Sequence, residues 1–119
     1  MSHSVLLQLA RSSIEEVLQA KQIIDKVSLT QQYPLLKDTI PTSIHIYLNK
    51  ELRGSYSINS KEKSLVENII ICAKKAAFED RNSAPLSALE YLQCEIEIIL
   101  QTLDGQISEI NSPILKQSL

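Results

Sequence analysis

Arg53 and Gly54 are the two residues whose types and spacing point most directly to chemistry. They stand in the segment ELRGSYS, residues 51–57, within an alternating pattern that predicts a β-strand. A glycine inside a strand usually marks a bulge or a close approach of another group to the backbone. An arginine beside such an opening is able to hold a carboxylate or a phosphate through its planar guanidinium.

Ser55 is a candidate nucleophile if a base lies beside it. A two-residue turn at Asn49 and Lys50 predicts that facing residues have numbers that sum to 99. Position 54 then opposes His45, and Ser55 lies one step away on the same face as Arg53. An exposed polar strand face is the favoured interpretation of these side chains, with a Ser–His pair as the alternative.

Further charged residues are weaker candidates. Glu79, Asp80 and Arg81 follow a predicted helix, where they form either a binding loop or charges in water at the helix end, and we favour the latter. Glu95 and Glu97 share one strand face, but no His or Cys has the spacing to complete a metal site. We expect no metal and no cofactor.

Composition narrows the class of protein. The chain has 119 residues, a hydrophobic fraction of 44% and a net charge of −2, which predicts one globular domain and argues against nucleic-acid binding. Cys72 and Cys94 lie in apolar surroundings and are expected to be buried, reduced thiols. The sequence shows no signal peptide and no apolar run of about 20 residues, so we expect a cytoplasmic protein that does not bind membranes.

Hydrophobic periodicity predicts the elements. An amphipathic helix over residues 4–26, with Arg11 on its polar face, precedes a connector at 27–41 and a β-hairpin at 42–58. Asn59 and Glu62 have the spacing of a helix cap, so a second helix is expected to run to Phe78. Ser87 and Glu90 form a capping box, residues 94–101 alternate as a strand, and residues 106–119 read as a short strand and a weakly ordered tail. The predicted fold class is α+β, a small, mostly antiparallel sheet with two main helices packed on one face.

Three landmarks in order give a resemblance to a known family. They are the helix start LLQLARSSIE at residues 6–15, the hairpin ELRG at 51–54, and AAFED at 76–80 followed by Pro85, Leu86 and the strand CEIEI at 94–98. In this order the chain resembles the AMMECR-type domain family, whose bacterial members are known as protein A of the AmmeMemoRadiSam system. The resemblance spans residues 5–105.

The resemblance is incomplete at its two most specific motifs. The family signature continues Leu-Arg-Gly-Cys-Ile-Gly, of which Leu52, Arg53 and Gly54 match whereas residues 55–57 differ. In the family loop Asp-Pro-Arg-Phe-Pro-Pro-Leu, the matches are Asp80, Pro85 and Leu86, with Arg81 one place from the family arginine. The resemblance implies a single AMMECR-like domain over residues 1–119 that lacks the family's C-terminal hairpin and helices. It also implies that a ligand-binding surface persists at the matching residues Arg53, Gly54 and Asp80, to which we add the neighbouring Ser55 and Arg81 as candidates.

Three functions follow as hypotheses. The family's activity is not established, but its bacterial members are encoded beside a Memo-like protein and a radical SAM protein. The resemblance therefore implies a non-catalytic binding or accessory component of that pathway, with those two proteins as partners. The alternatives are a small enzyme that uses Arg53 as an anion clamp with Asp80 or His45 as acid or base, and a homo-oligomeric structural protein, for which a homodimer is one form. The absent signature cysteine favours a protein that is not an enzyme.

Overall fold

The computed structural model describes residues 4–80 and 84–114, and these fold as helices on one face of an antiparallel sheet. In chain order the elements are α1 (Val5–Gln19), α2 (Lys26–Gln32), a 3₁₀ turn (Pro34–Lys37), β1 (Thr42–Leu48), β2 (Glu51–Ile58), α3 (Leu65–Phe78), α4 (Ala88–Gln93), β3 (Glu95–Thr102) and β4 (Gly105–Asn111). The four strands lie in the order β2-β1-β3-β4. The predicted α+β class is confirmed.

The core lies between the sheet and helices α1 and α3. Alternate side chains of the two central strands point towards the helices, as a period of two requires. Those side chains are fully or almost fully buried: Ile44, Ile46, Ile96, Ile98 and Leu100. The opposite sheet face carries no helix among the described residues, so its side chains stay partly exposed.

The hairpin of β1 and β2 turns at Asn49 and Lys50, which both have positive φ angles, 54° and 67°. This confirms the predicted two-residue turn. The predicted register holds only next to the turn, because a bulge at Arg53 adds one residue to β2. Beyond the bulge, His45 lies opposite Ser55 rather than Gly54. The bulge also places Leu52 on the open face instead of the face it was predicted to share with Gly54.

Helix α1 is shorter than the pattern predicted, and the predicted connector contains α2. The chain leaves α1 at Ala20, which has a φ of 54°. The Glu16 carboxylate then accepts the backbone N–H groups of Ile23 (2.9 Å) and Ile24 (2.8 Å). Those bonds hold the chain in a tight turn, and Asp25 caps α2 by accepting the N–H of Ser28.

Helix α3 begins at Leu65 rather than after Asn59, so the predicted cap is wrong. Ser64 occupies the cap position, and the Leu65 N–H donates to the carbonyl of Asp38 at 2.7 Å. The predicted capping box of Ser87 and Glu90 is confirmed, and it opens the short helix α4.

Residues 106–111, which belong to the segment predicted to be a short strand and weak tail, lie in β4 in continuous register with β3. Predictions for residues 115–119 lie outside the described residues. No helix in the described ranges is long and apolar enough to cross a membrane.

Candidate functional site

Arg53 is fixed by a two-point ion pair with Glu90 of α4. Its Nε donates to one carboxylate oxygen and an Nη donates to the other, both at 3.1 Å. The same Nη donates to the carbonyl of Ala84 at 2.7 Å. Such parallel charge-assisted bonds fix geometry as well as charge. The bulged position of Arg53 in β2 thus ties the hairpin to α4 and to the segment before it.

Gly54 lets α3 approach the hairpin at contact distance. A side-chain carbon at this position would overlap the carbonyl oxygen of Ala76 and lie 3.2 Å from its carbonyl carbon. Because the obstacle is helix backbone, only glycine fits without movement of an element. The close crossing brings the end of α3 to the edge of the sheet.

Asp80, which follows α3, protects the β2 edge of the sheet. Its carboxylate accepts the backbone N–H of Ser55 at 3.0 Å. β2 is a terminal strand, so this N–H would otherwise point away from the sheet without a strand partner. Asp80 therefore protects an exposed edge and fastens the end of α3 to the signature segment.

The segment after residue 83 is anchored from both sides. The Leu86 N–H donates to the carbonyl of Ala77 at 2.8 Å, and the Leu86 side chain is buried. Glu90 also accepts the N–H of Ser87 at 3.1 Å. The hydrogen bonds from Arg53, together with that from Ser87, hold the pKa of Glu90 below its usual value. Glu90 thus stays ionised and keeps the Arg53 pair intact.

Four of the five predicted binding residues meet at one place. Arg53, Gly54 and Ser55 follow one another along β2, and Asp80 lies against Gly54 and Ser55. Arg81, the fifth, lies outside the described residues. Sequence order alone separated Asp80 from the hairpin by a helix and a loop, so the contact of the two motifs is a result of the fold.

His45 belongs to another cluster, on the open face of the sheet. Its Nδ1 lies 3.4 Å from a Glu97 carboxylate oxygen and 3.3 Å from the hydroxyl of Tyr47. That hydroxyl donates to the same carboxylate at 3.0 Å, and burial together with this carboxylate raises the pKa of Tyr47. Ser55 and Glu97 both lie opposite His45, on its two sides.

This arrangement bears on the enzyme hypothesis. Ser55 and His45 face each other more directly than predicted, because the bulge shifts the register by one residue. Arg53, however, is bonded to Glu90 and the Ala84 carbonyl, whereas His45 is hydrogen-bonded to Tyr47 and lies 3.4 Å from a carboxylate oxygen of Glu97. The proposed anion clamp and the proposed base therefore stand in different hydrogen-bond networks. Among residues 4–80 and 84–114, no group of three His, Cys, Asp or Glu side chains is placed to hold a metal ion.

Arg11 is a buried residue that the sequence pattern assigned wrongly to a polar face. It is only 3% exposed. Its guanidinium donates to Asn111 Oδ1 (2.7 Å) and to the carbonyls of Cys94 (2.9 Å), Tyr91 (3.0 Å) and Ser112 (3.0 Å). It also stacks over the Tyr91 ring at 5.1 Å. Arg11 thus joins α1 to α4 and to the ends of β3 and β4.

The signal for Arg11 in the sequence is slight. Neighbours Leu7, Ala10 and Ile14 are buried at helical spacing, and Arg11 falls on the border of that stripe. Both cysteines are free and buried, as predicted, and burial raises the pKa of each thiol, that of Cys72 to about 12.

The fold and the site together define an α+β domain whose glycine-anchored hairpin is clamped to the end of a helix. The AMMECR1 family model matches residues 7–114, nearly the whole sequence, so the chain belongs to the AMMECR1 family. Among solved structures, it resembles uncharacterized protein PH0010 from Pyrococcus horikoshii, with a TM-score of 0.72 and 24% identity. The match covers 82% of this chain and 49% of that one, so the chain spans about half the length of that protein. No curated protein gives a significant match.

Proposed function

We propose that this chain is a non-catalytic binding component that acts with a Memo-like protein and a radical SAM protein. The chain belongs to the AMMECR1 family. The choice of partners rests on the family resemblance, which implies that bacterial members are encoded beside those two proteins. The bonding of Arg53 supports a binding role over catalysis. That bonding is the single observation on which the choice between the two roles depends.

Arg53 and the nearby carboxylates are engaged in hydrogen bonds within the protein and do not line an open reaction site. Arg53 is 14% exposed and makes a two-point pair with Glu90, while Asp80 accepts the Ser55 N–H. An anion would have to displace Glu90 from Arg53, which exchanges one charge-assisted pair for another with little gain. Glu90, the carboxylate paired with Arg53, is also unsuited to be a general base, which needs a pKa near the working pH, because its pKa is held below the usual value.

The surface around this ion pair has the composition of a protein-binding site. Leu52 precedes Arg53 in the chain and is 59% exposed, and Leu89 precedes Glu90 and is 58% exposed. Arginine is enriched at protein interfaces, and exposed apolar side chains beside it are typical of a protein-binding surface. We assign partner binding to this patch, defined by Leu52, Arg53, Leu89 and Glu90.

Titration calorimetry with purified proteins tests the proposal. The Memo-like protein and the radical SAM protein of the same organism are each titrated into this chain. We expect Leu52→Asp to weaken binding to at least one of them by about tenfold or more, because it places an unpaired charge in an apolar contact. Val27→Asp is the matched control, since Val27 is 66% exposed but lies on α2, outside the patch.

Two results would contradict the proposal. If neither purified partner binds the folded wild-type chain, the partner assignment is wrong. If Leu52→Asp and Val27→Asp weaken binding equally, the patch is not the binding site. The enzyme alternative would regain support if phosphate or a carboxylate bound the wild-type chain and this binding were lost in Arg53→Gln.

A further inference from the structure

The two edges of the sheet are built differently. At the β2 edge, the Arg53 bulge interrupts the strand and Asp80 accepts the outward N–H of Ser55. At the opposite edge, β4 pairs with β3 over its whole length without a bulge. No other strand in the described ranges lies beyond β4. Proteins usually protect such an edge with a bulge, a proline or a lysine, and β4 contains none of these.

The backbone groups that β4 presents outward are fixed by the register. The Gln101 N–H donates to the Pro41 carbonyl at 3.1 Å, on the β1 side of β3. Because these groups alternate along a strand, those of Leu100 point to β4, where Ile107 is its partner. The N–H and C=O groups that point away from the sheet therefore belong to Gln106, Ser108 and Ile110.

Exposed apolar side chains accompany this open edge. Leu103, in the turn before β4, is 99% exposed. The isoleucines on and after β4 are exposed by 51% to 60%: Ile107, Ile110 and Ile114. Ile107 lies on the helix side of the sheet, opposite Leu100, and Ile110 lies on the open side, opposite Glu97, so apolar side chains flank the unpaired backbone groups on both faces. Strand addition covers such a surface.

We propose that β4 pairs antiparallel with β4 of a second copy of this chain, about a two-fold axis at Ser108. Ser108 then lies opposite Ser108 of the partner subunit, and Gln106 lies opposite Ile110 of the partner subunit. All three outward residues of each strand are used, which gives about six new backbone hydrogen bonds. The two sheets become one continuous sheet of twice the width.

The side chains favour this register over its neighbours. In it, Glu109 faces Ile107 of the partner subunit, so no like charges meet. An axis at Glu109 would place two carboxylates opposite each other, which is destabilising. An axis at Ile107 would align only Gln106 with Ser108 of the partner subunit and leave Ile110 unpaired. The strand is therefore most complementary to itself in the Ser108 register.

Because the β2 edge is protected, pairing through β4 gives a closed dimer and not an open filament. Pairing of β4 with β2 of another copy would extend head to tail into a filament. Asp80 holds the Ser55 N–H, so that edge does not offer a continuous row of free groups. An isologous β4 pair is the closed arrangement that remains. A single strand pair buries less than the roughly 1,200 Å² of a standard stable interface, so the dimer should dissociate on dilution to low micromolar concentration.

Disulfide trapping tests the axis. A hydrogen-bonded antiparallel pair has Cα atoms about 5.5 Å apart, within the range that a disulfide spans. Ser108→Cys should therefore yield a covalent dimer under mild oxidation, while the buried Cys72 and Cys94 stay unreactive. Gln106→Cys is the matched control, because the two copies of residue 106 would be about 14 Å apart. Equal trapping by both variants, or none by Ser108→Cys, would overturn the proposal.

Sedimentation equilibrium gives a second readout without new thiols. Ser108→Pro removes an outward N–H that no described residue accepts, so the fold should persist by circular dichroism. We expect its dimer dissociation constant to rise by about tenfold or more relative to wild type. Ser57→Pro, at the other edge, should leave dimerisation unchanged. A wild-type chain that remains monomeric at millimolar concentration would refute the pairing.

Discussion

Replacement of Gly54 by alanine tests whether the crossing of α3 and β2 sets the geometry of the whole site. The added methyl group would overlap the Ala76 carbonyl oxygen and lie 3.2 Å from the carbonyl carbon. Neither atom belongs to a side chain that is free to rotate away. Ala76 is fully buried within α3, so the helix end or the strand must move.

The expected cost has two parts. Overpacking of a tight contact typically costs about 1–3 kcal/mol. If the helix end moves outward, the 3.0 Å bond from the Ser55 N–H to Asp80 lengthens, and loss of a hydrogen bond to a charged group costs about 1.5–3 kcal/mol. Since the movement relieves part of the overlap, the two costs do not add fully. We expect Gly54→Ala to lower the free energy of unfolding by about 2–4 kcal/mol.

Urea denaturation followed by circular dichroism measures this change. Ser55→Ala is the matched control, because it keeps the backbone N–H that Asp80 accepts and should change stability by less than about 1 kcal/mol. Asp80→Asn, made in both backgrounds, tests the second part of the cost. Its effect should be smaller in Gly54→Ala than in wild type, where the bond is intact. A Gly54→Ala variant within about 0.5 kcal/mol of wild type would refute the argument that the backbone approach requires glycine.

Two further predictions concern the buried arginine and the Arg53 ion pair. Arg11→Met should destabilise the fold by about 3 kcal/mol or more, because it leaves buried acceptors without donors, whereas Lys21→Met at an exposed position should be nearly neutral in thermal denaturation. Glu90→Gln should destabilise the protein at neutral pH, and its difference from wild type should shrink as pH falls below 4.5. The pKa of Glu90 is lowered in the folded state, so its contribution is present above that ordinary value and is lost below it. Unfolding measured across pH checks this, and a difference that does not change with pH would contradict it.

Local patterns predicted the parts of the fold that depend on local physics. The alternation at Ile44 and Ile46 follows from a strand with one buried face, and the Asn49 turn follows from the tolerance of asparagine for positive φ. The capping box at Ser87 is likewise a local hydrogen-bond exchange. Each of these features is decided within a few residues, so a single sequence is sufficient to find it.

Features decided by distant contacts were missed or only partly predicted. The end of α1 depends on the Glu16 carboxylate, which turns back to Ile24 and also binds Lys74 of α3 at 2.9 Å. Arg11 was placed on a polar face because its acceptors lie 80 or more positions away in the chain. Gly54 suggested a bulge, but the group that approaches it, the Ala76 carbonyl, could not be inferred from periodicity.

The candidate site shows how architecture and function share the same residues in this chain. Gly54 is explained by the helix crossing, and Arg53 by the position that the bulge gives it opposite Glu90. The bulge has a further effect, since it rotates Leu52 out to the open face and leaves it 59% exposed beside the fixed Arg53. A rigid ion pair therefore presents an apolar side chain that no described residue buries. Structural need accounts for Arg53 and Gly54, whereas the exposure of Leu52 is the part that a binding role explains. Leu52→Asp is consequently a sharper test of function than any change to Arg53, whose loss would also loosen α4.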